Sequence, residues 1–302
     1  MAGGPRSART EGGPTVRFNV DEAKCTLCGA CLKTCPTDMV REKRGAIKIS
    51  YVACIGCGHC MALCPSGAVS LDQIEYEGEF AERPALTTTP EQLLDVLKAR
   101  RTVRQYLPEP VSREELELLL EAARYVPTGA NAQPQEFLVI TDEAAKTRLR
   151  DEVMDYYRAY AAALADKEHP QHLAEFGGTG AGEMHEHILA AVPSFVKNVD
   201  AGRDRLFFEA PAVIVIHAPK NEVLPESACA FACFAITLMA ETMGLGTCIT
   251  GYASLALQAL PELATQTGVP EGNEVYYVVV VGRPAEDWQM VPPRKPAKVR
   301  YV

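Results

Sequence analysis

No apolar run in the 302 residues is long enough to span a bilayer; the best stretch, Ala228 to Ala240, stops at Glu241 and reads as a buried core helix. The first fifteen residues have Arg6 and Arg9 but no apolar segment behind them, so they read as a disordered leader rather than an export signal. That places the expected site of action in the cytoplasm. Positive charge is also scarce: 30 Lys and Arg against 39 Asp and Glu give −9, which argues against phosphate neutralisation and so against nucleic-acid binding. The deficit lies in residues 81–302, with 21 basic and 30 acidic side chains, while residues 1–80 are balanced at nine each. Two familiar motifs are missing as well. His185-Glu186-His187 lacks the i, i+4 spacing of a zinc-protease helix, and Gly177-Gly178-Thr179-Gly180 neither follows a strand nor matches a dinucleotide fingerprint.

What the chain does have is cysteine, and in one place: eight of its eleven fall between Cys25 and Cys64. Cys25-x2-Cys28-x2-Cys31-x3-Cys35-Pro36 is repeated as Cys54-x2-Cys57-x2-Cys60-x3-Cys64-Pro65. Without an export signal, such regular spacing points to metal rather than disulfides. A pair of structural zinc sites is the plainer reading, but zinc does not call for a three-Cys run followed by x3-Cys-Pro. The run resembles that of bacterial ferredoxins with two 4Fe-4S clusters, in which the fourth Cys of each motif serves the other cluster. The resemblance therefore implies Cys25, Cys28, Cys31 and Cys64 on one cluster, and Cys54, Cys57, Cys60 and Cys35 on the second. His59 is left as a loop residue. Ala46–Ile49 and Ala68–Leu71 read as short strands, so residues 16–80 form a small α+β domain.

The periodic pattern breaks down after Asp72, and 81–89 reads as a linker. Thr89-Pro90-Glu91-Gln92 and Ser112-x-x-Glu115 are capping boxes that open helices. Glu136–Thr141, Ala212–His217 and Val275–Val281 read as strands, and Ser227–Met243 as a buried helix whose Cys229 and Cys233 are core residues.

Four segments of 90–302 resemble, in order, those of the FMN-dependent nitroreductase family. Arg100-Arg101-Thr102-Val103-Arg104 is similar to its RRSxR segment, and Pro127-Thr128-Gly129-Ala130-Asn131-Ala132-Gln133-Pro134 to its PSSxNxQPW loop, with Gln135 where an aromatic residue is usual. Gly244 to Gly251 resembles the stretch whose backbone faces the flavin, and Pro292-Pro293-Arg294-Lys295-Pro296 the basic ending. The resemblance implies a central, mainly antiparallel sheet flanked by helices in a homodimer with FMN at the subunit interface. Arg100, Arg101, Thr102 and Arg104 would serve the phosphate and pyrimidine edge. Cys248, Ile249, Thr250 and Gly251 would line the ring, and Arg294, with Lys295 in reserve, would complete the phosphate site. Pro127, Thr128, Gly129, Asn131 and Gln133 would reach the neighbouring subunit's flavin. Residues 150–210, with Tyr156, Tyr157, Tyr160, Phe176 and Phe195, read as a lid insertion or a structural helical hairpin.

The chain is thus expected to be a fused flavoenzyme with no catalytic acid or base of its own. Ferredoxin or another low-potential donor would feed the clusters, and the flavin would reduce a small acceptor: a nitroarene, quinone, activated alkene or halogenated aromatic. Two rivals remain: an NAD(P)H oxidoreductase that sends electrons outward through the clusters to a protein partner, and a non-catalytic electron carrier or redox sensor.

Overall fold

The computed structural model describes residues 16–74, 81–168 and 190–302; the expected leader and residues 169–189, which include Phe176 and the glycine run, lie outside them. The chain divides into two compact units, the first ending at Thr87 and taking in Ala130–Ala132, the second comprising the rest.

In the first unit, β1 (Val16–Val20) pairs antiparallel with β4 (Val69–Ile74), and β2 (Val40–Lys43) with β3 (Ala46–Ile49). Arg44 (φ 54°) and Gly45 (φ 74°) close the β2–β3 hairpin in the left-handed conformation that a tight two-residue turn requires. The short helices α1 (Ala30–Thr34) and α2 (His59–Ala62) follow Gly29 (φ 74°) and Gly58 (φ 71°). The two halves are one motif used twice, offset by the 29 positions from Cys25 to Cys54. Left-handed residues recur at that offset, Asp38 answering Gly67 and Leu27 answering Gly56. Val16, Phe18, Val40, Ile47 and Val69 make a small core, which the buried Cys31 and Cys60 join. The Tyr51 hydroxyl pins β1 by accepting from Phe18 N at 2.7 Å and donating to Phe18 O at 2.8 Å.

The second unit is built on a four-stranded antiparallel sheet in the order β5-β6-β8-β7: β5 (Glu136–Ile140), β6 (Ala212–Pro219), β7 (Gly246–Ile249) and β8 (Asn273–Gly282). β6 and β8 are almost unbroken apolar runs because helices cover both faces of the sheet, and alternate side chains enter different cores. On one face Val213, Val215, Val278 and Val280 pack against α5 (Glu143–Ala165), α6 (Val192–Asp200), α8 (Gly251–Ala259) and α9 (Pro261–Thr267). On the other, Ile214, Ile216, Val279 and Val281 meet α4 (Arg113–Arg124) and α7 (Pro225–Thr242). Fully burying one such side chain contributes about 1.5–3 kcal/mol.

Both capping boxes form: Thr89 and Gln92 open α3 (Pro90–Ala99), and Ser112 and Glu115 open α4. α7 ends on Gly244 (φ 70°), with Leu245 N donating to Ala240 O at 2.8 Å. Besides β1 and β2, which the sequence reading did not expect as strands, three results differ from it. β4 runs on to Ile74, three residues past the expected strand. The Gly246–Ile249 stretch is an edge strand as well as a site segment. In the 150–210 region, Val153, Met154 and Tyr157 of α5 and Val192 of α6 are fully buried core, so the described ends of that stretch belong to the sheet's covering layer.

Candidate cluster and flavin sites

The four-cysteine sets named above each surround a cavity. Cys25, Cys28, Cys31 and Cys64 line one, with Val20, Ile47 and Pro65; Cys35, Cys54, Cys57 and Cys60 line the other, with Phe18, Ile49 and Pro36. Their environments repeat too. Met39 N donates to Cys35 Sγ, and Ala68 N to Cys64 Sγ, each at 3.2 Å, while Thr37 and Ser66 hydroxyls lie at 3.8 and 3.7 Å from the same sulfurs. Burial alone would raise these two thiols, but the converging donors outweigh it and hold both below the usual value. Cys31 and Cys60 have too few donors to do so; burial raises both, Cys60 to about 11. Ionised sulfur there needs a positive partner, and the irons of a cluster supply that charge. Among the described residues no three His, Cys, Asp or Glu side chains are set for a single metal ion. Rings of four thiols around a cavity suit a cubane instead. His59 is exposed at the start of α2 and lines the second cavity beside Cys60.

In the second unit, residues 100–107 run as an extra edge beside β7 and the end of β8. Val103 N donates to Thr247 O at 3.0 Å, Leu107 N to Arg283 O and Ala285 N to Gln105 O, each at 2.9 Å. The approach is close because position 246 is glycine: a Cβ there would stand 2.6 Å from Val103 Cγ2. This edge carries Arg104 to the mouth of a cavity of about 630 Å³, which Cys248, Ile249, Thr250 and Gly251 also line. Thr250 N donates to Val278 O, and Ser254 Oγ links Thr250 O to Val278 N, so the start of α8 is locked onto β8. Thr250 gives no side-chain cap, and Gly251 and Tyr252 open the helix at the cavity wall. A Cβ on Gly251 would meet nothing within 4 Å. Open space over a glycine backbone suits a planar ring. Behind it, Phe195 stacks on Tyr252 at 4.4 Å, and Tyr157 meets both edge-on while its hydroxyl donates to Tyr252 O at 2.7 Å.

Burial raises the Cys248 thiol against the opposing pull of Arg104. Arg101 sits 5.5 Å from the Trp288 ring, and its buried Nε has no hydrogen-bond partner, an orphan donor that a ligand oxygen would satisfy.

Of the expected flavin residues the cavity thus gathers Arg104, Cys248, Ile249, Thr250 and Gly251. Arg100, Arg101 and Thr102 lie on the same edge segment without lining it. Pro127, Thr128, Gly129, Asn131 and Gln133 lie on a separate turn, with Ala130, Asn131 and Gln133 left-handed. Arg294 and Lys295 are exposed in the irregular segment after β8. Sequence reasoning did not single out Arg205, Phe208, Tyr252, Tyr276 or Tyr277, all of which line the cavity.

Comparison with known proteins agrees with this division. The nitroreductase family model matches residues 97–283, and that of a 4Fe-4S dicluster domain matches residues 24–69. A nitrobenzene nitroreductase of Ectopseudomonas oleovorans is 30% identical over 190 residues, 60% of this chain and 82% of the relative. A chloronitrobenzene nitroreductase of Comamonas testosteroni is 28% identical over 191 residues, with the same coverage of 60% and 82%. The crystal structure of a Bacteroides fragilis nitroreductase with bound FMN shares the fold, with a TM-score of 0.50 at 21% identity over 70% of this chain and 98% of that one. The chain belongs to the nitroreductase family and carries a 4Fe-4S dicluster domain ahead of the family domain.

Proposed function

We propose that the protein is a cytoplasmic FMN-dependent oxidoreductase that takes electrons through two 4Fe-4S clusters, from ferredoxin or another low-potential donor, and reduces a small organic acceptor in the second unit's cavity. The observation that carries this reading is the pair of four-cysteine cavities in a chain whose family domain brings Arg104 and Thr250-Gly251 to one cavity wall. Clusters supply single-electron transfer, and FMN accepts electrons singly and delivers them in pairs.

The chain's own residues bind and orient. Arg104 suits the polar edge of the flavin pyrimidine, and the backbone at Thr250 and Gly251 its central ring. Arg100, Arg101 and Thr102, with Arg294 or Lys295, would hold the phosphate. The turn from Pro127 to Gln133 would complete the site of a second copy. Phe195 and Tyr252 keep water from the inner wall. A nitroarene is the first acceptor to test, since two relatives are named for nitrobenzene and chloronitrobenzene. No described helix is long and apolar enough to cross a membrane, and closely and regularly spaced cysteines of the metal-binding kind suit a reducing compartment.

The test is to purify the protein without oxygen, measure iron, sulfide and FMN, and follow flavin absorbance after adding reduced ferredoxin or NAD(P)H. Bleaching by ferredoxin alone supports the inward path. Rapid bleaching by NAD(P)H would reverse the path or make the clusters auxiliary, and a protein isolated without flavin and with no affinity for FMN would support the carrier or sensor reading.

A further inference from the structure

The loop between α6 and β6 contains two consecutive non-glycine residues in the left-handed region, Phe208 (φ 58°) and Glu209 (φ 56°). Side chains there crowd the backbone, so something must hold them. Asp204 does: its Oδ1 accepts from Leu206 N and Phe207 N, and its Oδ2 from Glu209 N, each at 3.0 Å. Leu206, Phe207 and Ala210 are buried beneath the loop, and Ala210 N donates back to Phe207 O at 3.0 Å, so the turn is anchored from below. This fixed turn sets Arg205 and Phe208 into the lining of the 630 Å³ cavity.

Two guanidinium groups converge on that ring, Arg104 at 6.0 Å from its centroid and Arg205 at 5.8 Å. Neither forms an ion pair with a described residue, although Arg158 and Arg283 of the same unit each engage two carboxylates. Carboxylates are not scarce, at 30 acidic to 21 basic side chains in residues 81–302. Attraction to the ring is weak and does not offset the repulsion between the two cations. An anionic guest in the cavity would supply a counter-charge.

We propose that Arg205, presented beside Phe208 by the Asp204-held turn, recognises the anionic group of the electron acceptor, and that preferred acceptors are aromatic acids: planar rings bearing a carboxylate. This rests on reading the cavity as the FMN and acceptor site. Under that reading Arg100, Arg104 and Arg294 already serve the cofactor. Arg205 is a further cation, outside the segments that carry the family resemblance. Phe208 offers a ring face to an aromatic guest, and the guanidinium fork fits a carboxylate in a way an ammonium does not.

The test uses the full FMN-loaded protein and two guests that flavin cannot reduce, benzoate and benzyl alcohol, titrated calorimetrically into wild type, Arg205→Gln and Arg205→Lys, with FMN content measured for each. Wild type should prefer benzoate by about tenfold or more, the worth of one charge-assisted hydrogen-bonded pair, and the preference should shrink with added salt. Arg205→Gln should abolish it and Arg205→Lys retain part, with FMN content unchanged. In turnover, the kcat/KM ratio of 4-nitrobenzoate to 4-nitrobenzyl alcohol should fall about tenfold in Arg205→Gln, through KM. Equal affinities in wild type, or a preference that survives Arg205→Gln, would overturn the proposal. So would loss of FMN from Arg205→Gln, which would assign the guanidinium to the cofactor's phosphate. A wild-type protein that takes up no FMN refutes the proposed function instead; benzoate titrated into that protein still decides whether Arg205 binds a carboxylate.

Discussion

Cys64 is adjacent in sequence to the second cysteine run but lines the cavity of the first, and Cys35 does the converse. A serine at either position should therefore damage the cluster of the other half. Cys64→Ser and Cys28→Ser are expected to lose the same roughly half of the iron and to leave the same residual paramagnetic spectrum, while Cys35→Ser pairs with Cys57→Ser. If Cys64→Ser instead matches Cys57→Ser, the crossed ligation is wrong. His217 makes a second prediction at this scale. Its Nδ1 lies 2.8 Å from Asn273 Nδ2, which also donates to Glu136 Oε2 at 2.9 Å, so the acceptor nitrogen is neutral and the ring proton sits on Nε2. Burial lowers the His217 pKa below 6.5, and Glu136 only partly opposes this. Below pH 6.5 the unfolded chain then binds more protons than the folded one, so the stability His217 contributes is complete above that value and is lost as pH falls towards the folded pKa. The Tm of wild type should drop further between pH 7.5 and 5.5 than that of His217→Gln; parallel losses would deny His217 this role.

At the scale of elements, the contact between Gly246 and Val103 decides where Arg104 stands. In Gly246→Ala the new Cβ would lie 2.6 Å from Val103 Cγ2 and 2.8 Å from Val103 Cβ, so the edge segment must move off β7. A loss of about 1–3 kcal/mol is expected, the usual range for overpacking, together with weaker FMN retention. Val103→Ala removes the nearest of those atoms and should restore part of both; a double variant no better than Gly246→Ala would place the damage elsewhere.

Such contacts mark the limit of what the sequence discloses. The helices at Thr89 and Ser112 were legible because a capping box is local, and β6 and β8 because a strand covered on both faces must be apolar throughout. The eight cysteines stood out because their spacing is repeated, while their division into two crossed sets is what the resemblance to bacterial ferredoxins implies. β1, β2 and β7 were missed as strands, since a short strand that includes polar residues or glycine is defined by its partner. Arg205 and Phe208 were invisible for a different reason: their placement depends on positive φ angles held by a carboxylate, and Arg-Leu-Phe-Phe gives no sign of either.

For the whole molecule, α3 poses a question that a single chain does not answer. Leu93, Leu94 and Leu97 form an i, i+1, i+4 stripe on a well-capped helix, yet they are 51, 48 and 40% exposed, and no residue of α3 is buried. α3 contacts α7, whose Phe231 and Phe234 are each 48% exposed as well. Five large apolar side chains on two touching helices suit an interface of the kind that covers a homodimer's core. The family resemblance supplies the functional half of the argument: the turn with left-handed Asn131 and Gln133 lines no part of its own chain's cavity, as a turn that serves a second copy would not. Assembly and cofactor retention should therefore fail together. Leu97→Glu with Phe234→Glu is expected to shift the protein from dimer to monomer by light scattering at micromolar concentration, and to release FMN over the same concentration range in which wild type keeps it. A monomer that holds FMN as tightly as the dimer would show that each chain completes its own site, and the turn at Asn131 would then need another role.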